Sequence, residues 1–430
     1  MATAGDHAAL ALAPAYVPPL AWGLYALVFT SILFEPMRIA LWRLGDEVGG
    51  VGGVGGLTNQ FAPVPTCKTV KSGPHVTEEY CFRPGVLGFT PFASFMLTVL
   101  VVPLGLAALA SHRFASRRAQ GFTPPSNEVL QNALDSYSVI AFKAFWAGAS
   151  SLWFLVPFVY FVSSPYYQKN AYFITLAVSI AAAYPLSWHL SFVSIPSSGA
   201  SYLAPLLGTS LTVLKECHVS AAWATLFWGI VHAVGELVFL TSQRELDLLS
   251  LKPTTDIDNL TFIFGLVLLA VLLIHSSYAL LRYHRHVANS FRAIHGVLAR
   301  VLLLIATAHW WPFVFFLAPA TAIAATGRAI NTTLKGERPD VIVRYASLAL
   351  AAAIAATIVG IVTVWAIRQA WMLAHPFEYY TLPVNVFPPA AVALAYVLAR
   401  LAAGVALQYQ LKVPLNATFD AEVMPILQAI

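Results

Sequence analysis

The chain has 430 residues, of which 59% are hydrophobic and 10% charged, and its mean hydropathy is +0.73. A soluble domain carries roughly a quarter charged residues, so this composition leaves too little polar surface to cover a water-soluble core. The formal charge of +5 comes from basic residues clustered beside apolar runs, the pattern of cytoplasmic loops and not of a nucleic-acid surface.

A helical membrane crossing needs roughly 20 apolar residues. In chain order the candidates are 17–34, 87–111, 138–163, 171–193, 211–239, 260–281, 293–318, 341–370 and 386–409, which predicts an all-α, polytopic bundle of nine spans. The first lacks a strongly basic flank and a small-residue cleavage site, so it reads as a retained anchor. The loop after it, 35–86, holds the glycine run 49–56 and two of the three cysteines, Cys67 and Cys81. The glycine run lacks the Gly-Lys-Ser/Thr continuation of a phosphate cradle and reads as a flexible loop.

Segments 112–118 and 282–292, the latter with Arg282, Arg285 and Arg292, are the clearest basic loops and are assigned to the cytoplasm. Nine spans then put loops 35–86, 164–170, 240–259 and 319–340 and the C-terminus outside. The glycosylation triplets at Asn259, Asn331 and Asn416 fall on that side. An oxidising exterior would permit a Cys67–Cys81 disulfide, whereas Cys217, inside a span, reads as a packing residue.

His218 and His232 are fourteen residues apart in the fifth span, and His295 and His309 fourteen apart in the seventh. Fourteen helical steps end about 40° short of four full turns and rise about 21 Å, so each pair lines one helix face at two depths. Parallel spans would set His218 opposite His295 and His232 opposite His309. Neutral imidazole is a good axial ligand for haem iron, and two per iron suit electron transfer. A single histidine in an apolar helix is more often a packing residue, but four in register point to two stacked b-type haems.

Lys215 and Arg292, each three residues before an inner histidine, are candidates for haem propionates or for ordinary positive flanks. Arg300 lies deeper, where an unpaired guanidinium is costly, and is expected to face the interior and meet a propionate or Glu236. Glu236, one turn beyond His232, shares its face. Trp310 and Trp311 read as an interfacial belt. Trp223, Phe227 and Trp228 read as helix-core filling more readily than as an electron bridge. His189 and His275 read as hydrogen-bonded core residues, and His284 and His286 as solvated.

The two His-x13-His pairs, separated by a loop and span of about sixty residues, and the stretch Asn289 to Gly296 resemble the ferric reductase transmembrane domain of ferric reductases and NADPH oxidases. The resemblance covers 138–370. It implies a six-span core with haem ligands on its third and fifth spans, and three regions: 1–136 with two leading spans, 137–370 with the bis-haem core, and 371–430 with a further span. The implied function is transfer of electrons from a cytoplasmic donor to external ferric or cupric ions or dioxygen, in a plasma, secretory or vacuolar membrane. Equal spacings of fourteen favour ferric iron, because the oxidases often shorten the second pair by one.

The cytochrome b of complex III also carries two such pairs, but more widely separated and with a Pro-Glu-Trp-Tyr motif that this chain lacks. Ascorbate-reducible cytochromes b spread their ligands over four helices. The chain departs from the ferric reductase pattern behind the core. His375-Pro376-Phe377-Glu378 echoes the flavin motif, but an apolar span follows and no glycine-rich pyrophosphate turn does. FAD and NADPH have no evident place, so a flavoprotein reductase or a small cytoplasmic reductant is the implied partner beside membrane lipid. A haem-free proton or metal transporter, using the same histidines and Arg300, is the competing reading.

Overall fold

The computed structural model describes residues 66–71, 77–82, 128–163, 172–207, 211–243, 259–310, 313–334, 339–374 and 382–411. The expected spans 17–34 and 87–111, the glycine run, Trp311, His375 and Asn416 lie outside them. The described chain is almost entirely helical. Its long helices are α1 (Glu128–Ser163), α2 (Phe173–Leu207), α3 (Leu211–Gln243), α4 (Asn259–Leu280), α5 (Phe291–His309), α6 (Phe313–Thr333), α7 (Pro339–Ala374) and α8 (Leu382–Leu411). All eight are long and apolar enough to cross a membrane, which makes this an integral, multi-pass membrane protein with an all-helical bundle.

One expected span is two helices. The stretch 293–318 breaks after His309, and 319–340, expected as an external loop, lies mostly within α6. The cause is Pro312. Proline has no N–H to continue the hydrogen-bond ladder, and its ring disfavours helical geometry in the residue before it. Trp310, two residues before the proline, is already extended (φ −139°, ψ 97°), although its N–H still closes the last turn of α5 on the Ala306 carbonyl at 3.0 Å.

The new helix is the centre of the bundle. Every described side chain from Phe313 to Ile323 is buried, and α6 packs against α2, α7 and α8. The Ser191 hydroxyl donates to the Phe316 carbonyl, and the Tyr202 hydroxyl donates to that of Ile323 at 2.9 Å, tying α2 to α6. Helix α8 presents Ala391, Ala395, Ala399 and Ala403, at steps of four, as one buried stripe. A Cβ on Gly360 of α7 would stand 2.6 Å from the Ala395 Cα, so glycine is what allows that approach. Small residues at such a spacing let helices meet in lipid, where van der Waals packing replaces the hydrophobic effect.

A hairpin lies in the 35–86 loop, which the sequence reading left without regular structure. Strands β1 (Thr66–Lys71) and β2 (Thr77–Phe82) are antiparallel, and their register sets Cys67 opposite Cys81. Directly opposed strand residues have Cα atoms about 4.5–5.5 Å apart, within the reach of a disulfide. A peptide containing both cysteines, cross-linked until reduced, is expected in a mass spectrum of a non-reducing digest.

With all eight helices crossing, the tail after α8 returns to the side of segment 282–292, and Asn331 and Asn416 leave the side to which nine spans assigned them. Single cysteines introduced at His284 and in the tail are expected to react with a membrane-impermeant maleimide from the same side. Labelling from opposite sides would mean that α6 does not cross.

Candidate functional site

The four histidines of the fourteen-step register meet two by two. On α3 and α5, the ring centres of His218 and His295 are 6.2 Å apart with planes at 78°, and those of His232 and His309 are 6.3 Å apart with planes at 61°. All four side chains are half-buried. Helices α3 and α5 do not pack along each other. Helix α3 lies along α2 and touches α4, which lies along α5.

These spacings match a metal held between the rings. Imidazole nitrogens bond first-row metals at about 2.0–2.1 Å and sit about 1.1 Å from the ring centre, so two rings on opposite sides of one ion have centres about 6.3 Å apart. The donor set points further. A bare structural zinc takes four protein ligands and a catalytic one three, whereas each pair here offers two, and no group of three or more His, Cys, Asp or Glu gathers among the described residues. Haem supplies its own equatorial ligands and asks the protein only for axial ones.

The side chains facing the space between the two levels are mostly small. Counting four, seven and eleven residues from the first histidine gives Ala222, Thr225 and Gly229 on α3, and Ala299, Leu302 and Ala306 on α5. All six lie within about 40° of the histidine face. Trp223 and Phe227 lie on the far side of α3, 54% and 58% exposed, so they neither fill a core nor bridge the two levels. Trp228 packs on Phe154 of α1, with ring centres 5.0 Å apart.

Each α3 ring is anchored by α2. His218 Nδ1 lies 2.7 Å from the Val193 carbonyl, and His232 Nδ1 lies 3.0 Å from that of Ser179. A carbonyl only accepts, so both Nδ1 atoms carry the proton and both Nε2 atoms present a lone pair. Ligating histidines characteristically donate their second nitrogen in this way. The two acceptors, Ser179 and Val193, are themselves fourteen residues apart, so α2 repeats the register of the helix it supports.

Helix α4 backs the α5 rings by packing. A Cβ on Gly265 would lie 3.0 Å from His309 Cε1, so the absence of a side chain there makes room for the imidazole. His275 stacks on His295 at 4.2 Å and 19°, and Phe291 stacks on the same ring at 4.8 Å and 26°. Such a stack contributes about 0.5–1.5 kcal/mol, comparable to the roughly 1 kcal/mol of a hydrogen bond, so either device can hold a ring. His275 is hydrogen-bonded as expected, but its partner is the His295 main chain, which makes it a half-buried site neighbour and not a core residue apart from the pairs. His189 fits that expectation, being fully buried with Nε2 2.5 Å from Ser150 Oγ.

Glu236 sits one turn beyond His232, half-buried, and its partner is Ser179, whose hydroxyl lies 2.7 Å from Oε1 and 2.9 Å from the His232 carbonyl. Arg300 does not reach it. Five steps carry Arg300 about 140° from His295 and nine separate it by about 180° from His309. Its side chain is exposed, on the outside of the bundle, where a long apolar stem lets the guanidinium reach for the interface. The expectation of an interior Arg300 weighed depth and not angle. Lys215 and Arg292 are exposed at the same end as His218 and His295. Cys217 is buried, as a packing residue would be.

No protein-family model, curated protein or solved structure matches this chain.

Replacing Gly265 by Val should press on the His309 imidazole and destabilise the bundle by about 1–3 kcal/mol, the usual cost of overpacking. A lowered melting temperature in detergent, with a smaller shift for Gly265→Ala, is the expected result.

Proposed function

We propose that this protein is a transmembrane electron carrier that holds two b-type haems in line, His218 with His295 toward the cytoplasm and His232 with His309 toward the exterior. The observation that carries the reading is the pair of ring separations, 6.2 and 6.3 Å, repeated about 21 Å apart along the same two helices. A haem held by each pair, His218 with His295 and His232 with His309, would supply a one-electron couple.

The chain's own residues do the rest. The Val193 and Ser179 carbonyls fix the tautomers of His218 and His232, which keeps Nε2 unprotonated and aimed away from α2. Those hydrogen bonds also make the imidazoles more basic, which favours the oxidised metal. The apolar helices exclude water from the space between the levels. Lys215 and Arg292 are placed to meet propionates at the inner end, with Arg282 beside them at the same face.

The break after His309 leaves the resemblance's placing of the histidine helices unchanged and makes α6, not α7, the sixth helix. Counted from α1, the histidine helices are the third and fifth, and α6 completes a set of six, with α7 and α8 behind it. By the same resemblance the protein acts as a metalloreductase. Its substrate is external ferric or cupric ion, ferric preferred, and its electrons come from a cytoplasmic flavoprotein or small reductant.

Purified protein is expected to be coloured, with a reduced-minus-oxidised spectrum of low-spin b-type haem at two haems per chain. His218→Leu and His309→Leu should each remove one haem and spare the other. Colourless protein that conducts protons or metal ions in vesicles would overturn the reading in favour of a transporter.

A further inference from the structure

The four paired imidazoles are not held alike. His218 and His232 each donate Nδ1–H to a carbonyl of α2. The buried Nδ1 of His295 has no hydrogen-bond partner among the described residues, so nothing polar fixes the rotation of that ring. Two ring faces do touch it: His275 from α4 at 4.2 Å and 19°, and Phe291 from its own helix at 4.8 Å and 26°. Phe291 is in turn stacked on Tyr278 of α4 at 6.0 Å and 14°, and Tyr278 is fastened by its hydroxyl, 2.7 Å from Ser290 Oγ. The run of rings is therefore clamped from both helices. His275 Nε2 is buried and unpartnered as well, and the hydrogen bond His275 does make goes to the His295 main chain, so its contact with the His295 imidazole itself is through the ring face.

We propose that His275 is a positioning residue, whose stacked ring sets the plane of the His295 imidazole and thereby the electronic character of the inner metal centre alone. The inference rests on the bis-haem reading. It follows from what a stack can and cannot do. A flat neighbour at 4.2 Å restricts rotation of the His295 ring about the axis through its ligating nitrogen, as the missing Nδ1 hydrogen bond would otherwise do. Any flat ring of similar size would serve, whereas a branched aliphatic side chain would fill the volume and leave the imidazole free to turn. The relative orientation of the two axial imidazoles determines the anisotropy of a low-spin ferric centre, so the effect has its own spectroscopic signature and does not rely on turnover.

The test compares His275→Phe with His275→Leu in full-length protein, read by electron paramagnetic resonance of the ferric state and by redox titration, with the haem count per chain as control. The expected result is that His275→Phe keeps both low-spin signals of the parent, while His275→Leu shifts the signal and potential of one centre and leaves the other in place. The shifted signal should be the one that disappears in His218→Leu. Equal changes in both variants would overturn the proposal, because they would assign the role to the imidazole nitrogens. No change in either would overturn it too, because the stack would then set nothing. Parent protein that binds no haem overturns the underlying reading and this inference with it, an outcome separable from the others by the haem count alone.

Discussion

Two pairs of imidazoles stand with ring centres 6.2 and 6.3 Å apart, and the packing of the surrounding described helices holds them at that separation. Helices in lipid come together through close packing of small residues, and left to that tendency α3 and α5 would close on each other. They do not, because each is committed elsewhere. Helix α3 is laid along α2, where the Gly235 position approaches Ser179 so closely that a Cβ would fall 2.8 Å from the serine Cβ. Helix α5 is laid along α4, with Gly265 set against His309. The gap between the histidine helices is what remains once both have been bound to outer neighbours.

The two neighbours use different chemistry for the same end. Helix α2 offers main-chain carbonyls at a fourteen-residue step, and a helical carbonyl can accept a second hydrogen bond without giving up its own. Helix α4 offers surface: an empty glycine position at one level and a ring at the other. Depth is thereby fixed three times, by the histidines of α3, those of α5 and the acceptors of α2. A shift of any one helix by a turn, about 5.4 Å, would take every partner out of reach together. Behind this half, α6, α7 and α8 pack around alanine and glycine positions, and α2 joins the two halves by donating side-chain hydrogen bonds to α6 on one side and accepting them from α3 on the other.

Much of this was legible in the sequence, and the rest was hidden for identifiable reasons. Histidine register survives in one dimension, because a helix converts spacing directly into face and depth; His218 and His295, and His232 and His309, could be paired before any coordinates. Hydropathy found the helices but not the break after His309, since Trp310, Trp311 and Phe313 keep the window apolar straight through the turn. Pro312 was the signal, and it outweighs hydropathy because it removes a hydrogen bond that composition cannot restore. Arg300 was judged by depth when its angle of about 140° from His295 already placed it outside. The carbonyl anchors of α2 and the role of Gly265 could not have been read at all, because main-chain acceptors and missing side chains leave no pattern in a sequence. His275 was passed over because it has no fourteen-step partner; it acts across the interface with α5 and not along its own helix.

The two levels differ in what surrounds them. At the inner end a third imidazole and the Phe291 ring crowd His295, while the nearby ends of α3, α4 and α5 carry Lys215, Arg282 and Arg292. That end is built from flat, weakly polar surface beside these basic side chains, with Glu216 next to Lys215 and 3.8 Å from Lys143. At the outer end Ser179 ties the His232 main chain to the Glu236 carboxylate, so the nearest ionisable neighbour is an acid placed one turn nearer the exterior. The two levels therefore differ in the charge beside them, basic side chains at one and a carboxylate at the other.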